Sequence, residues 1–551
     1  MRYIYGFLCF FLYSTTILHA QQAAVVSAHP LASQAGLDVL KQGGNAFDAA
    51  AAVALSIGVV EPFSAGIGGG GFFMIYEASK DKYTMIDARE TSPFLAGHGE
   101  VYQKASSIDG ASAAGVPGLI AGIDHLSQKY GRLNREKISQ HAIKYAQEGF
   151  AVSPHYQRLA TWRKEALLQS EAKNIFLSEG EVPKLGQLIR QTQLAQTLQR
   201  FAKFGANDFY HGKTAKKLVK DMQRDGGFIR LKDLNKYRAI ERQPIISHYK
   251  NTKIIAASLP SSGGLVLAEI FGMLAQDDLT AMSKVERTHL LVEVMRRAYR
   301  DRAAYMGDYD FISLPKDLLD PKRLQAMRQS IHMDKATPSS QLEPIDQIKQ
   351  GDHTTHFSIV DAEGNRVSAT LSINYGFGSA YVSPSTGILL NDEMDDFVTQ
   401  AGKANVYGLV GSAANQIEPQ KRMLSSMTPC FAINEHGILI TGTPGGSRII
   451  SMVLLNLLQF AHHEPAAPRW LSQKRFHHQY LPDIIQHEKG AFNATEIKAL
   501  QAKGHQLKAM RNYGNMQSIL QTNTGEVIGL SDPRGEGLAL KLDTPSTKRR
   551  E

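Results

Sequence analysis

Two adjacent threonines, Thr354 and Thr355, stand between two histidines in the segment GDHTTHFSIVDAEGNRVSATLSINYG, Gly351 to Gly376. A threonine hydroxyl is a weak nucleophile at neutral pH and needs a base within hydrogen-bond reach. His353 and His356 are near, but no carboxylate is evidently arranged behind either of them. One base is always correctly placed: the threonine's own α-amino group, whose pKa of about 7.7–8.0 suits general-base work near neutrality. That group exists only if the peptide bond between His353 and Thr354 is cut. The spacing also supplies neighbours. Two strand-like runs flank the turn Ala362-Glu363-Gly364-Asn365, and antiparallel pairing about it lays Thr354 across from residues 372–374. The Ser372 hydroxyl and the Asn374 amide are thereby delivered beside it. The same pattern fits an ordinary β-hairpin with strand-favouring threonines, so the surrounding chain has to decide.

The elements that must position this hairpin are legible in outline. Ala23 to Lys41 carries Ala, Val and Leu at helical spacing, and Gly43-Gly44-Asn45 ends it. Asp48 to Val60 is a second, almost wholly apolar helix, which predicts burial on every side. Glycines Gly66 and Gly68 to Gly71 then run into a strand, Phe72 to Tyr76. No Gly-Lys-Ser/Thr follows and a strand, not a helix, comes next, so a phosphate-cradling loop is excluded. Close approach of backbones is the reading that remains. The middle of the chain alternates amphipathic helices such as Arg135 to Glu148 and Ser283 to Tyr305. Residues 331–353 carry Pro, Ser and charge without periodicity, as a loop or linker does. Strands are expected at 355–361, 366–373, 430–434 and 437–442, and a long helix at Arg448 to His462. Helices lead, strands follow, and no sustained βαβ alternation is present. This predicts an α+β layered protein with sheets covered by helices.

The bulk properties narrow the function. The chain has 551 residues, 43% hydrophobic and 21% charged, as in a globular protein with a large core. Its net charge of +9 is scattered, with one tight basic run at Lys548-Arg549-Arg550, so it reads as solubility rather than nucleic-acid binding. Arg2, the apolar run Ile4 to Leu18 and the small residue Ala20 before Gln21-Gln22 fit a secretory signal peptide, residues 1–20. The run is shorter than the roughly 20 residues of a spanning helix; an uncleaved anchor is the alternative. Of the two cysteines, Cys9 lies inside that signal, and Cys430 sits among strand-forming apolar residues as an inert core thiol. The pairs His462-His463 and His477-His478 lack the spacing of a chelating helix face and are read as structural.

Several further segments, with the hairpin, resemble the γ-glutamyltransferases, also called γ-glutamyltranspeptidases. They are GILLNDEMDDF (Gly387 to Phe397), KRMLSSMTP (Lys421 to Pro429), GTPGGSRII (Gly442 to Ile450), DARETSP (Asp87 to Pro93), GGNAFDAAAAVAL, GIGGGGFFMIY, RFHHQYLPD and SDPRGEG. They occur in order over nearly the whole mature chain. The resemblance implies an N-terminal nucleophile hydrolase, a four-layer αββα sandwich whose precursor cuts itself before a threonine. The large piece would be residues 21–353 and the small piece 354–551, both parts of one fold.

Roles carried over by the resemblance are as follows. Thr354 attacks its own preceding carbonyl and later the γ-carbonyl of a γ-glutamyl group, giving an ester that water or an amino acid resolves. Ser372, where many members have threonine, bonds the nucleophile with more rotamer freedom. Gly445 and Gly446, which alone read as a plain turn, offer backbone N–H groups to the oxyanion. Arg89, which alone reads as a surface ion pair, forks onto the substrate α-carboxylate with Ser425 and Ser426. Asn374, Glu393 and Asp396 hold its ammonium. GKANVYGLVG (Gly402 to Gly411) resembles a lid, with Tyr407 as the gating aromatic. No metal or organic cofactor is implied, and a metal at EMDDF is disfavoured because Asp395 and Asp396 would point apart. The implied substrates are glutathione and related γ-glutamyl compounds, with amino acids, dipeptides or water as acceptors. Export to periplasm or medium is expected, with no stable membrane insertion after signal removal. Two rivals stand beside this reading: a glutaryl- or cephalosporin-type acylase of the same superfamily, and an uncleaved, non-catalytic relative.

Overall fold

The computed structural model describes residues 22–342, 353–398, 412–464 and 467–542. The expected signal peptide, the end of the linker before His353 and the expected lid with Tyr407 lie outside the described residues.

Two antiparallel sheets are stacked between helices. The first has seven strands in the order Leu538–Leu542, Ala23–Ser27, Thr354–Val360, Arg366–Ser372, Gly70–Glu77, Lys82–Asp87, Ile240–Arg242. The second has six, in the order Val527–Ser531, Gln517–Thr522, Gly437–Thr441, Cys430–Asn434, Thr252–Ala256, Ile245–Tyr249. One core packs the outer face of the first sheet (Val25, Phe73, Phe357, Ile359) against helices that include Pro30–Lys41, Ala46–Val60 and Leu119–Tyr130. A second core joins the inner face (Ala24, Val26, Phe72, Met74) to the second sheet and to Gly263–Met273, Lys284–Tyr305 and Arg448–Ala461. Neighbouring residues of one strand thus enter different cores, as the two-residue period of a strand requires. This is the expected four-layer αββα sandwich.

The same period decides which threonine faces the second sheet. Phe357 and Ile359 enter the outer core, whereas Ser358 points inward and its hydroxyl donates to the Gln517 carbonyl at 2.9 Å. Thr354 shares the parity of His356 and Ser358, and so faces the second sheet; Thr355 faces the helices. The hairpin register places Ser372 directly opposite Thr354.

One expected element differs. Ala23 to Lys41 is not one helix: Ala23–Ser27 is a fully buried strand between Leu538–Leu542 and Thr354–Val360, and the helix begins at Pro30. The run AAVVS satisfies helical spacing locally, but its backbone completes the central sheet, and tertiary pairing overrides propensity. The glycine run is confirmed as a close approach. A Cβ on Gly68 would lie 2.1 Å from the Leu389 carbonyl oxygen, and one on Gly69 2.2 Å from that of Ser372. Ala46–Val60 is buried along its whole length, and Cys430 is buried and unpaired. No helix among the described residues is long and apolar enough to cross a membrane.

Candidate active site

The chain is uncut at His353–Thr354, so the geometry is that of the precursor. The Thr354 hydroxyl accepts a hydrogen bond from the Gly445 N–H at 3.2 Å. Opposite it, the Ser372 hydroxyl donates to the His353 carbonyl at 3.4 Å. Ser372 is held in turn by the Asn374 N–H at 2.8 Å. Asn374 adopts a left-handed backbone (φ 73°), a conformation asparagine tolerates, and its carbonyl receives the His353 N–H at 3.1 Å. The peptide bond before Thr354 is therefore held on both sides, with a hydroxyl beside it and a donor to its carbonyl oxygen in place.

The nearby histidines are not built as bases. Burial, then the charges of His155, Arg511, Arg158 and Arg448, pushes His353 down to about 3. Burial likewise holds His356 at about 3, and its ring is engaged by the Thr370 hydroxyl at 2.8 Å. Beside Thr354 lies a cavity of about 410 Å³ whose lining includes Glu61, His155, Arg158, Gly445 and Arg448. Burial pushes the Glu61 carboxyl up to about 7; the Thr355 hydroxyl opposes that shift and the Glu536 charge adds to it.

Gly445 (φ 139°) and Gly446 (φ 57°) both occupy backbone space that favours glycine, and a Cβ on Gly445 would lie 2.7 Å from Met452 Cε. They sit at the head of Arg448–Ala461, whose first turn closes onto them through Arg448 N–H to Gly445 O and Ile449 N–H to Gly446 O. An N–H that already reaches the Thr354 oxygen in the precursor is well placed for charge that develops beside that oxygen.

A second group is dry and charged. Arg89 is not a surface residue; it is 1% exposed. Its guanidinium meets Asp396 at 2.5 Å, Glu393 at 2.7 Å and Glu90 at 3.4 Å. Burial works against its charge, but the three carboxylates outweigh burial and keep it protonated. Burial and then the Glu393 charge push both Glu90 and Asp396 well above the usual carboxylate range, so the cluster retains protons. The Arg89 fork, expected to take a substrate carboxylate, here faces Glu393 and Asp396, two of the groups expected to hold the ammonium. Glu393–Asp396 is a short 3₁₀ turn, and Asp395 and Asp396 do point apart, Asp395 to the Ser107 hydroxyl at 2.8 Å and Asp396 to Arg89.

Ser425 and Ser426 are buried next to Ser261 and Ser262. Sequence reasoning missed a neighbour. Arg302, 3% exposed, lies near the end of Lys284–Tyr305 and donates to the Ser262 hydroxyl at 2.8 Å and the Ser426 hydroxyl at 3.1 Å. It is one of several arginines in that helix, and no pattern in the sequence singles it out.

Comparisons with known proteins decide between the rivals. The family model for gamma-glutamyltranspeptidase matches residues 32–542. The chain belongs to that family. It is 38% identical over 531 residues to the glutathione hydrolase proenzyme of Escherichia coli (strain K12), covering 94% of this chain and 91% of the relative. A cephalosporin acylase from Bacillus halodurans shares the fold with a TM-score of 0.83 at 25% identity, covering 98% of both chains. The γ-glutamyltranspeptidase of Helicobacter pylori is 37% identical over 58% of this chain and 94% of its own, with a TM-score of 0.56. The acylase shares the whole-chain shape, but sequence identity is higher to the glutathione hydrolases. As a γ-glutamyltranspeptidase family member, the chain is an enzyme of γ-glutamyl transfer and hydrolysis, favoured over the acylase class.

Proposed function

We propose that the chain is exported, cuts itself before Thr354, and then transfers γ-glutamyl groups through that residue. In the first reaction the Thr354 oxygen attacks the His353 carbonyl carbon. The C–N bond breaks, the proton passes to the departing amine, and an ester joins His353 to Thr354. Water then frees a His353 carboxylate and a Thr354 α-amino group. Residues 21–353 and 354–551 stay together as two subunits because each sheet contains strands of both pieces. In turnover the new α-amino group accepts the hydroxyl proton as Thr354 attacks the γ-carbonyl of glutathione or a related compound. Gly445 and Gly446 stabilise the oxyanion, and Ser372 orients the nucleophile. Water or an amino acid or dipeptide takes the acyl group.

In this reading the substrate head opens the dry cluster. Its α-carboxylate takes the Arg89 fork with Ser425 and Ser426, and its ammonium takes Asp396, Glu393 and Asn374. One pair of charges replaces another, so a buried cluster exchanges partners rather than losing them.

The observation that carries the reading is the pair of contacts at the 353–354 bond: Gly445 N–H on the nucleophile oxygen and Ser372 Oγ on the carbonyl oxygen. A reducing gel with terminal sequencing tests it. Wild type should give two fragments, one starting at Thr354, and release anilide from a γ-glutamyl anilide faster when glycylglycine is added. An intact chain that still releases anilide would refute it.

A further inference from the structure

The helix Pro154–Leu168 presents two stripes of side chains. Tyr156, Leu159, Ala160, Arg163 and Leu167, three or four positions apart or adjacent, are its buried face. His155, Arg158 and Trp162 recur three and four positions apart beside that face, and they gather around His353. His155 and Arg158 line the cavity beside Thr354 together with His353. Trp162 lies over the His353 ring, with centroids 5.1 Å apart and planes inclined at 47°. Trp162 is 52% exposed, so burial in the core is not what places it there.

The same helix secures the segment on which His353 rests. The Trp162 ring stands 6.0 Å from the Tyr375 ring, and a Cβ on Gly376 would lie 3.3 Å from its Cζ3. Next to it, Arg163 donates to the Gly376 carbonyl at 3.0 Å and to the Gly378 carbonyl at 2.9 Å. Asn374, at the head of that segment, receives the His353 N–H at 3.1 Å. Two hydrogen bonds thus act on the His353 backbone, and the one to its carbonyl, from Ser372, is long at 3.4 Å. A long bond leaves the carbonyl room to turn. A ring contact adds the third point that fixes the orientation of a group, and orientation is what an intramolecular attack requires. Burial, then the charges of His155, Arg511, Arg158 and Arg448, keeps the His353 ring neutral at physiological pH, so it meets the indole as one aromatic ring on another.

We propose that Trp162 is a positioning residue for self-cleavage: its indole, seated on the His353 ring, holds the His353 carbonyl in the orientation that the Thr354 hydroxyl attacks. The inference rests on the self-cleavage proposed above and concerns that step alone. In turnover the carbonyl under attack belongs to the substrate, not to His353. Trp162 therefore acts once in the life of each chain, and its loss slows maturation without slowing the finished enzyme.

The test follows fragment appearance on a reducing gel from freshly refolded full-length precursor. The chains are wild type, Trp162→Ala, Trp162→Phe, His353→Ala and the Trp162→Ala/His353→Ala pair. Trp162→Ala should slow cleavage about five- to tenfold, and Trp162→Phe, which keeps a ring, about twofold. His353→Ala should slow it by a similar factor, and the double variant no more than the slower single, because both remove one contact. Once cut and purified, Trp162→Ala should keep kcat and KM for a γ-glutamyl 4-nitroanilide within about twofold of wild type. Unchanged cleavage in Trp162→Ala, slowing that multiplies in the double variant, or an equal fall in kcat would overturn the inference. If Trp162→Ala failed to fold, Trp162→Phe with and without His353→Ala carries the same comparison. A wild type that never yields a chain beginning at Thr354 would instead remove the self-cleavage itself.

Discussion

The two halves of the site are built on opposite plans. Around Thr354 the contacts are neutral: the Gly445 N–H on the Thr354 hydroxyl, the Ser372 hydroxyl on the His353 carbonyl and the His353 N–H on the Asn374 carbonyl, with a cavity of about 410 Å³ alongside. Around Arg89 the structure is closed and densely bonded, with three carboxylates on one guanidinium and almost no exposure. In the function proposed above, the first half must let bonds form and break, and neutral hydrogen bonds rather than ion pairs hold it. The second keeps one guanidinium among three carboxyls in a dry interior, where burial and mutual repulsion favour retained protons on Glu90 and Asp396. Changes to the first half should therefore cost chemistry, and changes to the second should cost stability.

The largest expected effect tests the first half of that statement. Thr354→Ala should abolish cleavage and lower anilide release by roughly four orders of magnitude, while its urea unfolding midpoint stays close to that of an uncleaved wild-type chain. A large loss of stability would mean that Thr354 is structural. Arg89→Leu should do the reverse. It strands Glu393, Asp396 and Glu90 without their cation and should cost about 3–5 kcal/mol, read by denaturant titration. A stable Arg89→Leu chain would break the contrast. Gly445→Ala returns to the first half: its φ of 139° and the nearby Met452 methyl oppose a side chain. It should lower kcat roughly a hundredfold with a much smaller change in KM.

Glu61 sharpens the comparison through pH. Its folded value of about 7 lies above the ordinary 4.5, so the fold prefers the neutral acid. Below pH 4.5 both states are protonated and nothing is lost. Between 4.5 and 7 the unfolded chain ionises first and stability falls; above 7 the loss is complete, about 3 kcal/mol. Glu61→Gln should thus match wild type in thermal unfolding at pH 4 and exceed it at pH 8, and a constant difference across that range would contradict the assignment. The smallest effect is expected from Ser372→Ala. It removes one donor to the His353 carbonyl and should slow fragment appearance about tenfold, measured on freshly refolded precursor.

Legibility followed the distance between partners along the chain. The hairpin was readable because its turn sets the register, and Ser372 faces Thr354 as the spacing required. The αββα class was carried by resemblance rather than by pattern: AAVVS spaced its apolar residues like a helix yet forms a central strand. Glycines 68–71 read correctly as close approach because a strand, not a helix, follows them. Arg89 could not be placed from its surroundings in sequence; its partner Asp396 is 307 positions away. Arg302 left no trace at all, since charged residues on a long helix ordinarily face water.

The sequence by itself determined the family, through its motifs, and the placing of Ser372 opposite Thr354, because a short turn closes at little entropic cost and admits one pairing. Only the tertiary structure decided that Gly445 reaches Thr354, that Arg89 is enclosed by Glu90, Glu393 and Asp396, and that Arg302 underlies Ser426. Those contacts depend on the order of strands in two sheets and on burial that makes unmatched charge costly, and neither leaves a periodic mark in the chain.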